Sequence, residues 1–562
     1  MTISEIRKKM RQAGVEAYVV PHGNRFIGQD ILSTEHKLKH LCGFGGSAGI
    51  AVITPKEAFL LVDGRYELQA RIETENTGVT VVDAMPRFKN VCDLLQNQKI
   101  ARIGYDAWCH SVAEMEFLKR KYREITFIDV GDYLNINGKL SVTAQQRAEK
   151  FAGLSREQKC RSITDYIKEN GADYYLLTSA DSVSWLLNLY SDDLPYSPII
   201  RAYALIAADG RITLFADNLT ADVAVKNWND FAEFLQNARD KIILYDAHTA
   251  PEKIKYLAGD KVILRKTQDI CALQKQQKNP VELQGMINCH VRDGVAVVKF
   301  LCWLENNRQG LKETDVVKKL HQFRSEQEYF FGESFATIAG SGANGAIVHY
   351  QPEEKSAAML QDNSLLLIDS GGQYYDGTTD ITRTIVLGKP SKEMIADFTA
   401  VLKAHIALAD ARFPQETPGV KLDVLARSHI WRIGEDYKHG TGHGVACFGN
   451  VHEGPISISV SGSDYGLKER MVVSDEPGIY RAGKYGIRIE NLLYTAEAQK
   501  EGFLHFQYLT KVPIDKKLID KYLLNNDEQA WLNRYHQDVY QSLAPYLDET
   551  EKIWLADACS PL

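Results

Sequence analysis

The sequence is poor in the features that would build anything other than water-exposed globular domains. No apolar run approaches the ~18 residues that a membrane span needs, and the densest stretch, residues 295–304, is interrupted by Lys299. No membrane partner is expected. The first ten residues carry charge but no apolar h-region, so no secretory signal is expected either. Only 16 prolines are spread over 562 residues, without a Ser/Gly or Pro/Gln tract, which excludes collagen-like and low-complexity architectures. The nine cysteines include no C-x-x-C pair, and a chain of this size needs no stapling. Reduced thiols and a cytoplasmic location follow as expectations. Positive charge is also short: 66 Lys and Arg stand against 73 Asp and Glu, for a net charge of −7, which argues against a nucleic-acid partner.

What is present is length and repetition. Hydrophobic cores stop growing near ~250–300 residues, so three or four domains are expected. An amphipathic helix at 3–13 runs into Gly14-Val-Glu-Ala-Tyr-Val-Val-Pro21, and a similar one at 156–170 runs into Gly171-Ala-Asp-Tyr-Tyr-Leu-Leu-Thr178. In both, glycine sits where a helix C-terminus favours it and a buried strand follows. Two turn-linked strands, at 51–53 and 59–63, are echoed at 204–206 and 212–217. The pattern predicts two copies of an α/β lobe, residues 1–135 and 136–275, with a seam near 131–150.

The third region, 276–562, opens with a strong helix start: Asn279 to cap, Pro280 at the first helical position and Glu282 to complete a capping box. It too reads as a duplication. Helices at about 280–307 and 314–324 precede a hairpin at 364–388; helices at about 391–412 and 421–433 precede a hairpin at 471–495. A strand and helices at about 526–545 and 548–556 should pack on this domain. Two motif matches fail on context. Gly340-Ser-Gly342-Ala-Asn-Gly345 fits a dinucleotide fingerprint, but Pro352 leaves no room for the helix that would hold pyrophosphate. Gly478-Ile-Tyr-Arg-Ala-Gly483-Lys484 mimics a phosphate loop, but Tyr485 replaces the magnesium-binding hydroxyl.

The chemistry concentrates between residues 365 and 490. Asp369 ends one strand of the first hairpin, Asp376-Gly377 marks its turn, and Asp380 starts the return. Carboxylates beside an apolar core must be paired, hydrogen-bonded or metal-bound. The second hairpin repeats this with Glu476 and Glu490. An unbroken strand through 486–491 would put Arg488 and Glu490 on one face, where Arg488 could simply neutralise Glu490. Between the hairpins, His439 and His443 are four apart, but Gly440, Gly442 and Gly444 argue against a helix, and H-E-x-x-H is absent. Four carboxylates and one imidazole about a pseudo-twofold centre suit two divalent ions such as Mn²⁺, Co²⁺ or Zn²⁺.

The series Asp369, Asp380, His443, Glu476, Glu490 resembles the metallopeptidases of the pita-bread fold. Ser334-Phe-Ala-Thr-Ile-Ala-Gly-Ser-Gly-Ala-Asn-Gly-Ala-Ile-Val-His349-Tyr, Asp369-Ser-Gly-Gly-Gln-Tyr-Tyr-Asp-Gly-Thr-Thr-Asp380, His439-Gly-Thr-Gly-His443-Gly-Val, Asn450-Val-His452-Glu-Gly-Pro and Gly486-Ile-Arg-Ile-Glu490-Asn resemble the three-domain, cytosolic type of aminopeptidase P. The resemblance spans essentially the whole chain. One departure is Ser474, where threonine is common. It implies an α/β fold: two creatinase-type amino-terminal lobes, then a pita-bread catalytic domain with an internal repeat. It further implies that Asp380 and Glu490 bridge two ions, most simply Mn²⁺, that Asp369 holds one, and that His443 and Glu476 hold the other. Glu476, His452 and His349 would act in catalysis, and His349, His439, His452, Tyr480 and Arg488 would contact substrate. The implied reaction is hydrolysis between an N-terminal residue and a penultimate proline, by a homodimer. A prolidase limited to dipeptides, a methionine aminopeptidase, which lacks the lobes, and an inactive peptide-binding module are the alternatives.

Overall fold

The computed structural model describes residues 1–28, 31–136 and 141–562. They form two compact units. The first comprises Met1–Glu149, Leu154–Leu194 and Ile199–Cys271; the second comprises Lys150–Gly153, Pro195–Pro198 and Ala272–Leu562.

In the first unit, two six-stranded sheets share one topology. The first orders its strands Thr80–Asp83, Ala58–Val62, Ile50–Ile53, Ala17–Pro21, Arg102–Tyr105, Thr126–Asp129. The second orders Ala224–Lys226, Ile212–Phe215, Tyr203–Ala207, Tyr174–Leu177, Ile242–Asp246, Ile263–Thr267. In each, the three inner pieces pair antiparallel and the flanking strands pair parallel. The helices that lead in are Ile3–Ala13, with a Thr2/Glu5 capping box, and Arg156–Glu169, with a Ser155/Gln158 box. Gly14 (φ +65°) and Gly171 (φ +55°) take the left-handed conformation just past each helix, which glycine adopts without a Cβ clash. Residues 137–140, inside the seam expected at 131–150, lie outside the described residues.

In the second unit, helices α1 (Pro280–Asn307) and α2 (Glu313–Ser325) precede strands β1 (Ser364–Ser370), β2 (Gly372–Tyr374), β3 (Gly377–Thr378) and β4 (Ile381–Leu387). Helices α3 (Lys392–Ala409) and α4 (Gly419–Trp431) precede β5 (Val472–Asp475), β6 (Gly478–Arg481), β7 (Tyr485–Arg488) and β8 (Asn491–Glu497). The expected Asn279/Glu282 capping box starts α1. Helix, helix, hairpin therefore occurs twice. The tail adds the strand Phe503–Tyr508 and the helices Asn526–Leu543 and Glu549–Ala558. Trp531, Leu532, Tyr535, Val539 and Leu543 of the first of these helices join Phe398, Val401, Ile487 and Leu493 in one buried cluster. At about 1.5–3 kcal/mol per fully buried large apolar side chain, the tail is part of the core.

Neither hairpin is the continuous ladder expected. β1 pairs with β4 and β5 with β8, while β2–β3 and β6–β7 pair as separate outer pieces. Pro477, lacking an N–H, falls in one break. In the other strand of that hairpin the run expected through 486–491 stops at Arg488 and resumes at Asn491. Its interruption has a cause in the other half: the Glu490 amide donates to the Thr382 carbonyl (3.1 Å) instead of across its own hairpin. Asp380 and Glu490 thus stand in corresponding breaks, one per half. Gly340–Gly345 ends the strand Ile338–Ser341 and enters the short turn Gly342–Ala346, with no long helix following.

Candidate active site

Ligand atoms of Asp380, His443 and Glu490 lie within 4.8 Å of one another. His443 sits on the short strand Gly442–Gly444, where a Cβ on either glycine would run into a neighbouring carbonyl, that of Ser474 or Glu453. That close approach explains the glycines and rules out a helix. The Nδ1 of His443 lies 2.9 Å from the Gly444 carbonyl and so carries the proton, leaving Nε2 bare. Nε2 is 3.5 Å from Asp380 Oδ2 and 3.6 Å from Glu476 Oε1. Ser474 accepts from the His443 amide (3.0 Å) and donates to Glu476 (3.4 Å), so a hydroxyl suffices there without threonine's methyl. Asp369 takes a 2.6 Å bond from Arg488 on Oδ2, while its buried Oδ1 has no hydrogen-bond partner among the described residues. Arg488 therefore pairs with Asp369 and not primarily with Glu490, its neighbour in sequence.

The carboxylates crowd one another. Burial, then Asp369 and Glu476, push the Asp380 carboxyl well above the usual range. Burial, then Asp380, Asp369 and Glu476, do the same to Glu490. Four acids with Arg488 as the adjoining cation leave negative charge in excess, and an unpaired oxygen and a bare imidazole nitrogen complete the donor set. These residues fit a pair of divalent ions.

A pH dependence follows. A carboxyl raised in the folded state favours folding below the ordinary carboxylate pKa of about 4, and that contribution is lost as pH climbs through the raised value. Divalent ions replace those protons. Binding should release protons, and the thermal stabilisation by saturating ions should grow from about pH 5 to about pH 8. Calorimetry in buffers of different ionisation enthalpy reads the release; proton-neutral binding would contradict the crowding.

A polar chain runs from the carboxylates to His439. Arg488 donates to Tyr480 (2.7 Å), and the Tyr480 hydroxyl donates to His439 Nε2 (2.8 Å), because His439 Nδ1 is turned to the Gly440 carbonyl (2.7 Å). Burial pushes the Tyr480 phenol up to about 12, so it keeps its proton at neutral pH. His452 is exposed, with its ring 4.2 Å from that of His443, edge on. His349 is half-buried beside Tyr350, whose hydroxyl donates to Glu313 (2.8 Å).

Sequence reasoning missed three supporting residues. Thr382 donates to Glu490 Oε2 (2.7 Å) and accepts from Arg488 Nε (3.0 Å). Arg383, buried, donates to the carbonyls of Glu490 (2.7 Å) and Thr382 (2.9 Å) and to Tyr535 of the tail (2.8 Å). Glu313, also buried, accepts from the Ser341 amide (2.7 Å) and Asn344 (3.0 Å), pinning the glycine-rich turn. A charge inside Ile381-Thr-Arg383-Thr-Ile was the available signal for Arg383.

Comparison with known proteins agrees with this geometry. The creatinase/prolidase N-terminal domain is matched twice, over residues 3–136 and 141–282. Metallopeptidase family M24 is matched over 284–497, and the C-terminal region of that family over 502–562. The Xaa-Pro aminopeptidase 1 of Dictyostelium discoideum is 33% identical over 606 residues, covering 100% of this chain and 96% of the relative. The crystal structure of X-prolyl aminopeptidase from Caenorhabditis elegans, described as a cytosolic enzyme with a di-nuclear active site, superposes with a TM-score of 0.93 at 31% identity and covers 100% of both chains. A Pyrococcus horikoshii prolidase, at 24% identity and a TM-score of 0.50, shares the fold over 63% of this chain and 99% of its own. The chain belongs to the M24 metallopeptidases and, within them, to the aminopeptidase P family.

Proposed function

We propose that this enzyme is an Xaa-Pro aminopeptidase whose metals are held by Asp369, Asp380, His443, Glu476 and Glu490. The observation that carries the assignment is the convergence of Asp380, His443 and Glu490 from both halves of the repeat, in a chain that aligns over its full length with Xaa-Pro aminopeptidases. Asp380 and Glu490, standing in the two breaks, would be shared by the ions; Asp369 would complete one site, His443 and Glu476 the other. When bound, two such ions supply Lewis acidity and an acidified water. Mn²⁺ suits a set of hard oxygens with one nitrogen, and Co²⁺ or Zn²⁺ is compatible.

The protein's own groups do the remainder. Glu476 moves a proton to the prolyl nitrogen, which leaves as a secondary amine. His452, exposed beside His443, donates to the developing oxyanion, and His349 joins it in catalysis. His349, His439, Tyr480 and Arg488 line a pocket for proline, with the Tyr480–Arg488 pair holding His439 in one tautomer. Peptides with a penultimate proline are the substrates; neither nucleic acid nor membrane is a partner. A cytoplasmic homodimer through the catalytic unit is part of this proposal. The exposed apolar side chains Val424, Trp431 and Ile433 of that unit are suited to such a contact.

Substrate length tests the reading. kcat/KM is to be compared for Xaa-Pro, Xaa-Pro-Yaa-Yaa and Xaa-Ala-Yaa with Mn²⁺ present. Cleavage of the longer proline peptides, with the alanine peptide poor, is expected. Turnover of the dipeptide alone would assign a prolidase, and no turnover of any would assign a binding module.

A further inference from the structure

We infer that Glu453, clamped between Lys275 and Lys278, is a positioning residue for His452; this rests on the reading of His452 as a substrate-facing group. Glu453 directly follows His452 in the sequence, yet the two differ sharply in environment. His452 is exposed, whereas Glu453 is 3% exposed, Lys275 4% and Lys278 1%. Lys275 Nζ donates to Glu453 Oε1 (2.9 Å), and Lys278 Nζ donates to Oε2 and to the Lys275 carbonyl (3.1 Å). Both carboxylate oxygens are therefore held, each by its own ammonium.

The main chain leaves this segment in need of a tie. Its ladder with the His443 strand is irregular: His443 pairs with Ser457, while Gly444 pairs with Glu453, so residues 454–456 fall out of register. The Gly444–Glu453 pair brings His452 beside His443, but the bulge leaves the chain just after Glu453 without a regular partner. The segment carrying the lysines ties it at one further point, Ile456, and is itself anchored to Arg470 by two bonds. Gln276 Oε1 accepts from the Ile456 amide (3.0 Å), the Lys278 amide donates to the Arg470 carbonyl (3.0 Å), and Arg470 Nε donates back to the Lys278 carbonyl (3.0 Å).

Three buried charges are a poor way to gain stability, since apolar side chains of similar volume commonly do as well or better. What a carboxylate between two ammoniums does supply is a fixed location, because both oxygens have directional partners. The cluster also leaves one positive charge in excess next to the residue assigned to an oxyanion. Misplacing a catalytic group by about 1 Å costs on the order of 10²-fold in rate.

The test is a double-mutant cycle in the full-length, Mn²⁺-loaded enzyme, with kcat and KM for an Xaa-Pro-Yaa peptide and ion content by elemental analysis. Glu453→Gln is expected to keep both ions and leave KM within about threefold, while kcat falls on the order of 10²-fold. In a His452→Ala background the same change should cost nothing further, because the group it positions is gone. Lys275→Gln, which leaves one ammonium on Glu453, should behave alike with a smaller loss, and it carries the cycle if Glu453→Gln does not fold. Losses that multiply across the cycle, or an unchanged kcat in both single variants, would overturn the inference while leaving His452 in its role. An unchanged kcat in His452→Ala alone would remove that role, and the inference with it.

Discussion

Asp380→Ala is expected to abolish peptide hydrolysis, and Glu490→Ala to do the same, because under the proposed assignment each removes a carboxylate that both ions would share. A metal ion's charge stabilisation is worth several kcal/mol in the transition state, or at least on the order of 10³-fold in rate. Elemental analysis should find at most one tightly held ion in either variant. Unfolding is not the explanation to expect. In the metal-free protein burial, then the charges of Asp369 and Glu476, raise the pKa of Asp380. Taking it away relieves repulsion, so metal-free Asp380→Ala should melt at or above metal-free wild type at neutral pH. Chelation of the wild type should mimic the loss of activity and readdition of Mn²⁺ should reverse it, whereas Asp380→Ala should stay inactive. Full turnover in protein shown to be metal-free would contradict the dinuclear assignment.

His452→Ala is expected to behave differently. His452 is exposed and meets His443, the proposed ligand, ring to ring at 4.2 Å, without belonging to the cluster formed by Asp380, His443 and Glu490. Both ions should remain. Turnover should nonetheless fall on the order of 10²–10³, the usual cost of losing one oxyanion donor. The fall should appear in kcat more than in KM, since the interaction strengthens as negative charge develops. Retained ions with unchanged kcat would remove the role, and lost ions would make His452 a ligand.

Most of this site is legible from local sequence. Asp376-Gly377 marks the turn of the first hairpin and the glycines flanking His439 and His443 exclude a helix, so the four carboxylates stand out locally, whereas the choice of His443 over His439 rests on the family resemblance. What local pattern cannot reveal is contact between the halves. Arg488 lies two residues from Glu490, which invites the nearer pairing, yet its 2.6 Å partner is Asp369, 119 residues away. The second hairpin breaks at Glu490 because Thr382, in the other half, takes its amide. Period-2 reasoning has no access to that competitor. Nothing in the local pattern marks Lys275 and Lys278 as the partners of Glu453, 178 and 175 residues away. In each case the missing information is a buried polar group whose partner is distant in sequence.

The most direct test is a crystal structure of the Mn²⁺-loaded enzyme with anomalous data collected near the manganese edge. Two peaks are expected among Asp369, Asp380, His443, Glu476 and Glu490, with Asp380 and Glu490 each touching both. A single peak, or ions held by other side chains, would contradict the assignment.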